Sequence, residues 1–169
     1  CIRDSVNILH SQKNISIEDV SIRIRAALKQ GSVRAVDLAH KKNEFTNNKH
    51  IRITFPSEAS VMKNILLKVG MKNEIIKMEK KMNVAAEMAS GKAIDILLKS
   101  INQLSISQAV EILNGDDNAA TNYMKSNCEK SLFLGFKPII NQVMNQSDSK
   151  KHWNFLIKKY NRIPYTKEI

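Results

Sequence analysis

Between Leu104 and Met124 the chain reads LSISQAVEILNGDDNAATNYM. This stretch predicts a short helix, a tight acidic turn and a longer helix, so the segments on either side must pack against that hinge. Ser105 precedes an apolar-periodic run and Gln108 follows it by three. That is the spacing of a capping box, in which the hydroxyl accepts from a first-turn N–H and the amide reaches back. Ile106, Ala109, Val110 and Leu113 recur at helical spacing and mark one buried face. Asn114-Gly115 is expected to end the helix, with Gly115 in the left-handed conformation that glycine tolerates. Asp116 or Asp117 then stands where it can cap the second helix, at the positive end of the helix dipole. The same pair has a second reading, as carboxylates that hold a metal or do acid–base work. A calcium loop alternates its oxygen ligands and closes on a Glu. Asn118 to Thr121 departs from that pattern, so capping is the stronger expectation for Asp116 and Asp117.

The N-terminal half reads as helices around one extended segment. Residues 1–15 have no sustained period and read as a tether ahead of a domain over 16–169. Ser16 and Asp19 have capping-box spacing. Val20, Ile24, Ala27, Leu28, Ala35 and Val36 mark one helical face as far as about His40, with Arg23, Arg25 and Arg34 decorating it. Residues 41–55 form the longest predicted loop. Ile51, Ile53 and Phe55 alternate with polar neighbours, a period of two. With no partner strand in sight, the expectation is a strap around 45–55 pinned to the helices by its apolar side chains. Pro56-Ser57 opens the next helix, with Val61, Ile65, Leu66 and Val69 as its stripe and Gly70 as its stop. Ile75, Met78, Met82, Ala85 and Ala89 line a longer helix from about Lys72. Its methionines suit core packing better than a binding groove. Lys77, Glu79, Lys80, Lys81 and Glu87 are placed on its solvated face.

Ser90-Gly91 predicts a break, after which Ala93, Ile96, Leu97 and Ile101 lead to the hinge. Beyond the hinge, Leu132, Phe133, Leu134 and Phe136 form a dense apolar cluster expected to be buried. Pro138 is expected to kink or restart the helix, since it has no N–H to donate. Ser147 or Asp148 opens a last helix with Trp153, Leu156, Ile157 and Tyr160 inward. The fold class is therefore all-α: a single irregular or orthogonal bundle of about six or seven helices.

Several of these segments together resemble a known family. ILNGDDNAATNYM, FTNNKHIRITFP, Met82-Asn83 with Ala85-Ala86-Glu87, and Phe136-Lys137-Pro138-Ile139-Ile140 are similar, in order and spacing, to segments of the bacterial DUF4197 proteins. The resemblance implies an all-helical fold and a setting in the bacterial cell envelope, on the periplasmic side. It carries over no activity, cofactor or catalytic residue. Many members continue further, so the resemblance also implies that this chain lacks the last helices of the family.

The net charge of +11 in 169 residues directs attention to anionic partners: nucleic acid, lipopolysaccharide or phospholipid headgroups. Its clearest local excess is the tail from Lys150, where Lys150, Lys151, Lys158, Lys159 and Arg162 make the last helix basic and amphipathic. Such a helix suits an anionic membrane surface, and equally an ordinary surface position in the bundle. Cys1 and Cys128 are too few for a tetrahedral zinc site, and His10, His40, His50 and His152 lack ligand spacing. No P-loop, dinucleotide fingerprint or nucleophile elbow is present. Cys1 matches the first residue of a mature bacterial lipoprotein, where the lipid is carried; the alternative is an arbitrary cut in a longer chain. The leading functional expectation is a non-enzymatic envelope protein, lipid-anchored through Cys1, that binds a protein partner or an anionic membrane. The alternatives are a metal-dependent enzyme using Asp116 and Asp117, and a basic nucleic-acid-binding protein.

Overall fold

The computed structural model describes residues 16–164 and Thr166, so Cys1 and the tether lie outside the described residues. Eight α-helices are present among them: α1 (Ile17–Ala39), α2 (Glu44–Asn47), α3 (Ser60–Lys68), α4 (Lys72–Ser90), α5 (Ala93–Asn102), α6 (Ile106–Asn114), α7 (Ala119–Gln146) and α8 (Ser149–Tyr160). There is no β-strand among the described residues. The two capping boxes form as their spacing predicts. Ser16 Oγ accepts from Asp19 N at 3.0 Å and Asp19 returns the bond to Ser16 N. Ser105 Oγ accepts from Gln108 N at 3.2 Å, and Gln108 Oε1 accepts from Ser105 N at 2.9 Å.

Helices α4 and α7 pack along each other at the centre. On this pair α3 and α8 close one core, of Phe55, Met62, Leu66, Ile75, Met78, Leu156 and Tyr160, with Trp153 and Met144 packed at its edge. Burying side chains of this size contributes about 1.5–3 kcal/mol each. A second packed region joins α1, α5, α6 and α7, where Ile101, Leu104, Ala109 and Cys128 are buried. Arg25, placed by sequence among the surface arginines of α1, donates to the carbonyl of Leu104 and ties α1 to the start of the hinge.

The segment before α3 corrects the expectation most clearly. It contains a short helix, α2, and its extended part is held by polar groups. Ile51 and Ile53 are exposed, and only Phe55 is buried, stacked against Trp153 with ring centroids 5.3 Å apart. Three main-chain N–H groups of this segment donate to side chains spaced four apart on α4: Phe45 to Glu87, Ile53 to Asn83 and Phe55 to Glu79. The segment therefore runs antiparallel to α4. Glu79 and Glu87, expected in solvent, are only 5% and 6% exposed. An extended chain without a strand partner must satisfy its N–H groups somewhere, and this face of α4 supplies the acceptors.

Other departures have equally local reasons. A 3-10 turn (Ser57–Ala59) precedes α3, which buries Met62 and Leu66 and leaves Val61 and Val69 exposed. Helix α7 continues as one element through Pro138, which is exposed. The carbonyl that Pro138 leaves unbonded, on Leu134, belongs to a residue that is also exposed, so water can satisfy it. The cluster beside it is not buried: Phe133 and Leu134 are 64% and 61% exposed, while Leu132 and Phe136 are half-buried.

Gly70 ends α3 with a left-handed φ of 82°. Gly115 does not share that geometry; its φ is −80° and its ψ −176°, open to any residue. Space is what requires glycine there, since a Cβ on Gly115 would lie 2.5 Å from Ala119 Cβ and 3.0 Å from the Glu111 carbonyl. Gly31 on α1 has nothing within 4 Å of such an atom. Gly115→Ala is therefore expected to lower stability by about 1–3 kcal/mol, and Gly31→Ala to raise it by about 0.5–1 kcal/mol. Shifts in the urea midpoint at unchanged m-value check both.

Candidate functional site

The acidic turn between α6 and α7 does turn chemistry. Asp116 Oδ1 accepts from Asn118 N at 2.9 Å, closing a loop of its own rather than capping α7. The residue at the cap position is Asn118, without a side-chain bond, and Asp117 is exposed beside it. Tyr123, one turn into α7, lies against Ser100 and near Arg25, and burial pushes its hydroxyl upward. The turn thus joins two helices through backbone needs, and it does not gather Asp116 and Asp117 with further ligands. Among the described residues no cluster of three or more His, Cys, Asp or Glu is poised to hold a metal.

Helix α8 sorts its basic residues onto two sides. Ser149, Leu156 and Tyr160 are buried, with His152, Trp153 and Ile157 half-buried beside them. Phe155 lies to one side of this buried face, 41% exposed, with its ring centroid 6.4 Å from that of His152. Lys151, Lys158 and Lys159 lie three or four residues from Phe155 on the outward side of α8, and Arg162 follows in the turn beyond the helix end. Lys159 Nζ sits 5.5 Å above its ring, a cation–π contact. Lys151 is also 2.8 Å from Asp148, an exposed pair worth little in water. Asp148 stands at the cap position in left-handed backbone, φ 52°, with no capping bond. Lys150 is the exception, at the rim of a groove of about 400 Å³ lined by Met78, Met82, Met144 and Trp153. The methionines of α4 therefore serve the core and also line a groove.

On the inward side of α8, His152 Nε2 lies 3.1 Å from Glu74 Oε2. Burial lowers the His152 pKa, Lys81 adds to that, and Glu74 opposes both. The most strongly held charge is Glu79, missed from sequence because charged positions on an amphipathic helix usually face water. Its Oε2 accepts from Arg52 at 2.9 Å, and its Oε1 accepts from Lys63 at 3.0 Å and from Phe55 N at 3.0 Å. Asn83 donates to the carbonyls of Ile53 and Glu79, both at 2.7 Å, while accepting from Ile53 N. The one signal that pointed here was the unpaired period-two segment itself.

The all-α bundle whose polar side chains hold an extended strap, with a basic aromatic face on its last helix, defines an all-α helical domain. Residues 14–169 match the family described as "Protein of unknown function (DUF4197)", and the chain belongs to that family. No curated protein and no solved structure matches it.

The clasp has a pH signature. Burial pushes the Glu79 carboxyl up, but Lys63, the Phe55 N–H and Arg52 outweigh it and hold the group below its ordinary value. A group lowered in the folded state contributes stability that is complete above its unfolded pKa and is lost as pH falls through the folded one. Glu79→Gln keeps an acceptor for Phe55 and loses both ion pairs. It is expected to cost about 1–3 kcal/mol at neutral pH, with the gap to the native protein narrowing in acid. Urea midpoints at neutral and acid pH check this.

Proposed function

We propose that this domain is a non-catalytic module that associates peripherally with an anionic membrane surface through the outward face of α8. The observation that supports this reading is Phe155, an exposed aromatic ring with Lys159 Nζ over it, on the side of α8 that also carries Lys151 and Lys158, with Arg162 just beyond the helix end. Exposed aromatic side chains among basic residues suit the boundary between headgroups and acyl chains, where the ring enters and the cations meet phosphates. The overall charge of +11 favours the same encounter. Phe133 on α7 repeats the arrangement, with Lys137 Nζ 5.9 Å over its exposed ring. No helix among the described residues is long and apolar enough to cross a membrane. The envelope setting implied by the family resemblance, and a lipid on Cys1, belong to the same proposal. The enzyme alternative has less support, because the Asp116 carboxylate is engaged by its own turn.

Sedimentation with phosphatidylglycerol-containing vesicles tests the reading. Binding should fall as salt screens the contact and be absent with purely phosphatidylcholine vesicles. Each lysine near an anionic surface is worth about 1 kcal/mol, so Lys158→Ala with Lys159→Ala should weaken binding about tenfold or more. Phe155→Ser should weaken it further, while Lys29→Ala with Arg34→Ala on α1 should change it little. Equal binding to neutral vesicles, or equal loss from the α1 pair, overturns the reading. Salt-sensitive binding to duplex DNA with no vesicle binding replaces it with the nucleic-acid alternative.

A further inference from the structure

A cleft of about 560 Å³ opens between the C-terminal end of α1, the residues that follow it and α4, away from α8. Its walls carry His40, Lys42, Lys80 and Glu87, with Val84 and Met88 as apolar surface. Glu87 is more than nine-tenths buried. Its Oε1 accepts from Phe45 N at 3.2 Å, and its Oε2 has no hydrogen-bond partner among the described residues. That oxygen is not sealed from solvent, so on an otherwise buried side chain it faces the cleft where a cationic donor group can reach it. Neither Lys42 nor Lys80 comes within ion-pair distance of it among the described residues, although both line the same cleft.

His40 adds a second acceptor. Its Nδ1 lies 2.8 Å from the Glu87 carbonyl oxygen. A carbonyl only accepts, so Nδ1 carries the proton, and Nε2 is the ring nitrogen that can accept. Gly91 makes room for this placement, since a Cβ there would come within 3.2 Å of the His40 ring. The cleft therefore offers two acceptors, the Glu87 oxygen and His40 Nε2, and two ammonium groups that stay apart from them. A ligand that satisfies both sets carries a cationic donor group and an anionic group. The volume lies within the range of small-molecule sites, and Val84 with Met88, 49% exposed, suits an apolar side chain.

We infer that this cleft binds a free α-amino acid with an apolar side chain, its ammonium on Glu87 and its carboxylate on Lys42 and Lys80. The site is separate from the α8 face, and its test needs no membrane. L-Leucine is titrated into the full chain while the Met88 methyl and His40 ring resonances are followed by NMR. Saturable shifts are expected at millimolar or lower concentration, in the range of weak small-ligand affinity. 4-Methylpentanoate, which keeps the carboxylate alone, and 3-methylbutylamine, which keeps the ammonium alone, should each bind at least about tenfold more weakly, since each loses a charge-assisted contact. Lys42→Ala with Lys80→Ala changes exposed residues that take part in no ion pair among the described residues. That variant should lose about tenfold in leucine affinity and bind the amine unchanged. Glu87→Gln should lose leucine binding, and the lysine pair keeps the test decisive if that variant fails to fold. No saturable shift with leucine overturns the inference. So does a carboxylate that binds as well as leucine, which would make this a simple anion site. Binding of leucyl-glycine without leucine overturns it in favour of a peptide.

Discussion

The extended segment between α2 and α3 has to satisfy its backbone without a neighbouring strand, and the rest of the structure is arranged around how it does so. Glu87, Asn83 and Glu79, one turn apart on α4, accept the N–H groups of Phe45, Ile53 and Phe55 in antiparallel order. The polar cost of burying two carboxylates and an amide is offset by these bonds and, at Glu79, by Arg52 and Lys63. Once the segment is fixed, Phe55 is delivered to Trp153 and the α3–α4–α8 core closes over it.

This explains why α4 is central. One of its faces is apolar, carrying Ile75 and Met78 into the core, and another is polar and buried against the strap. Small residues Ala85 and Ala89 leave space for close packing, and α7 lies along the same helix. The two surfaces proposed for binding sit where this framework ends: the outward side of α8, and the cleft that the free oxygen of Glu87 faces.

The features legible from sequence were those with local causes. Ser16 with Asp19, and Ser105 with Gln108, form their capping boxes because both partners lie within one turn. Gly70 stops α3 through its own φ. The hinge between α6 and α7 falls where the turn residues place it. The resemblance to the DUF4197 family also held over nearly the whole chain. Gly115 stands between these cases: its position was legible, but its cause is a close approach to Ala119 and not a left-handed backbone. The basic character of α8 was legible too, although the separation of Lys150 from the cations around Phe155 needed the buried face to be known.

What the sequence by itself determined is the helical class, most helix ends and the amphipathic period, because propensity, capping and turn geometry act within a few residues. Tertiary structure alone decided that Glu79 and Glu87 turn inward, that Phe133 and Leu134 turn outward, and that His40 meets Glu87 across 47 residues. A charged residue on a helix reads as solvated until a packed main chain nearby requires an acceptor. A phenylalanine reads as buried until no element covers it. Both outcomes depend on which segments meet in space, and periodicity along one helix holds no information about what packs against it.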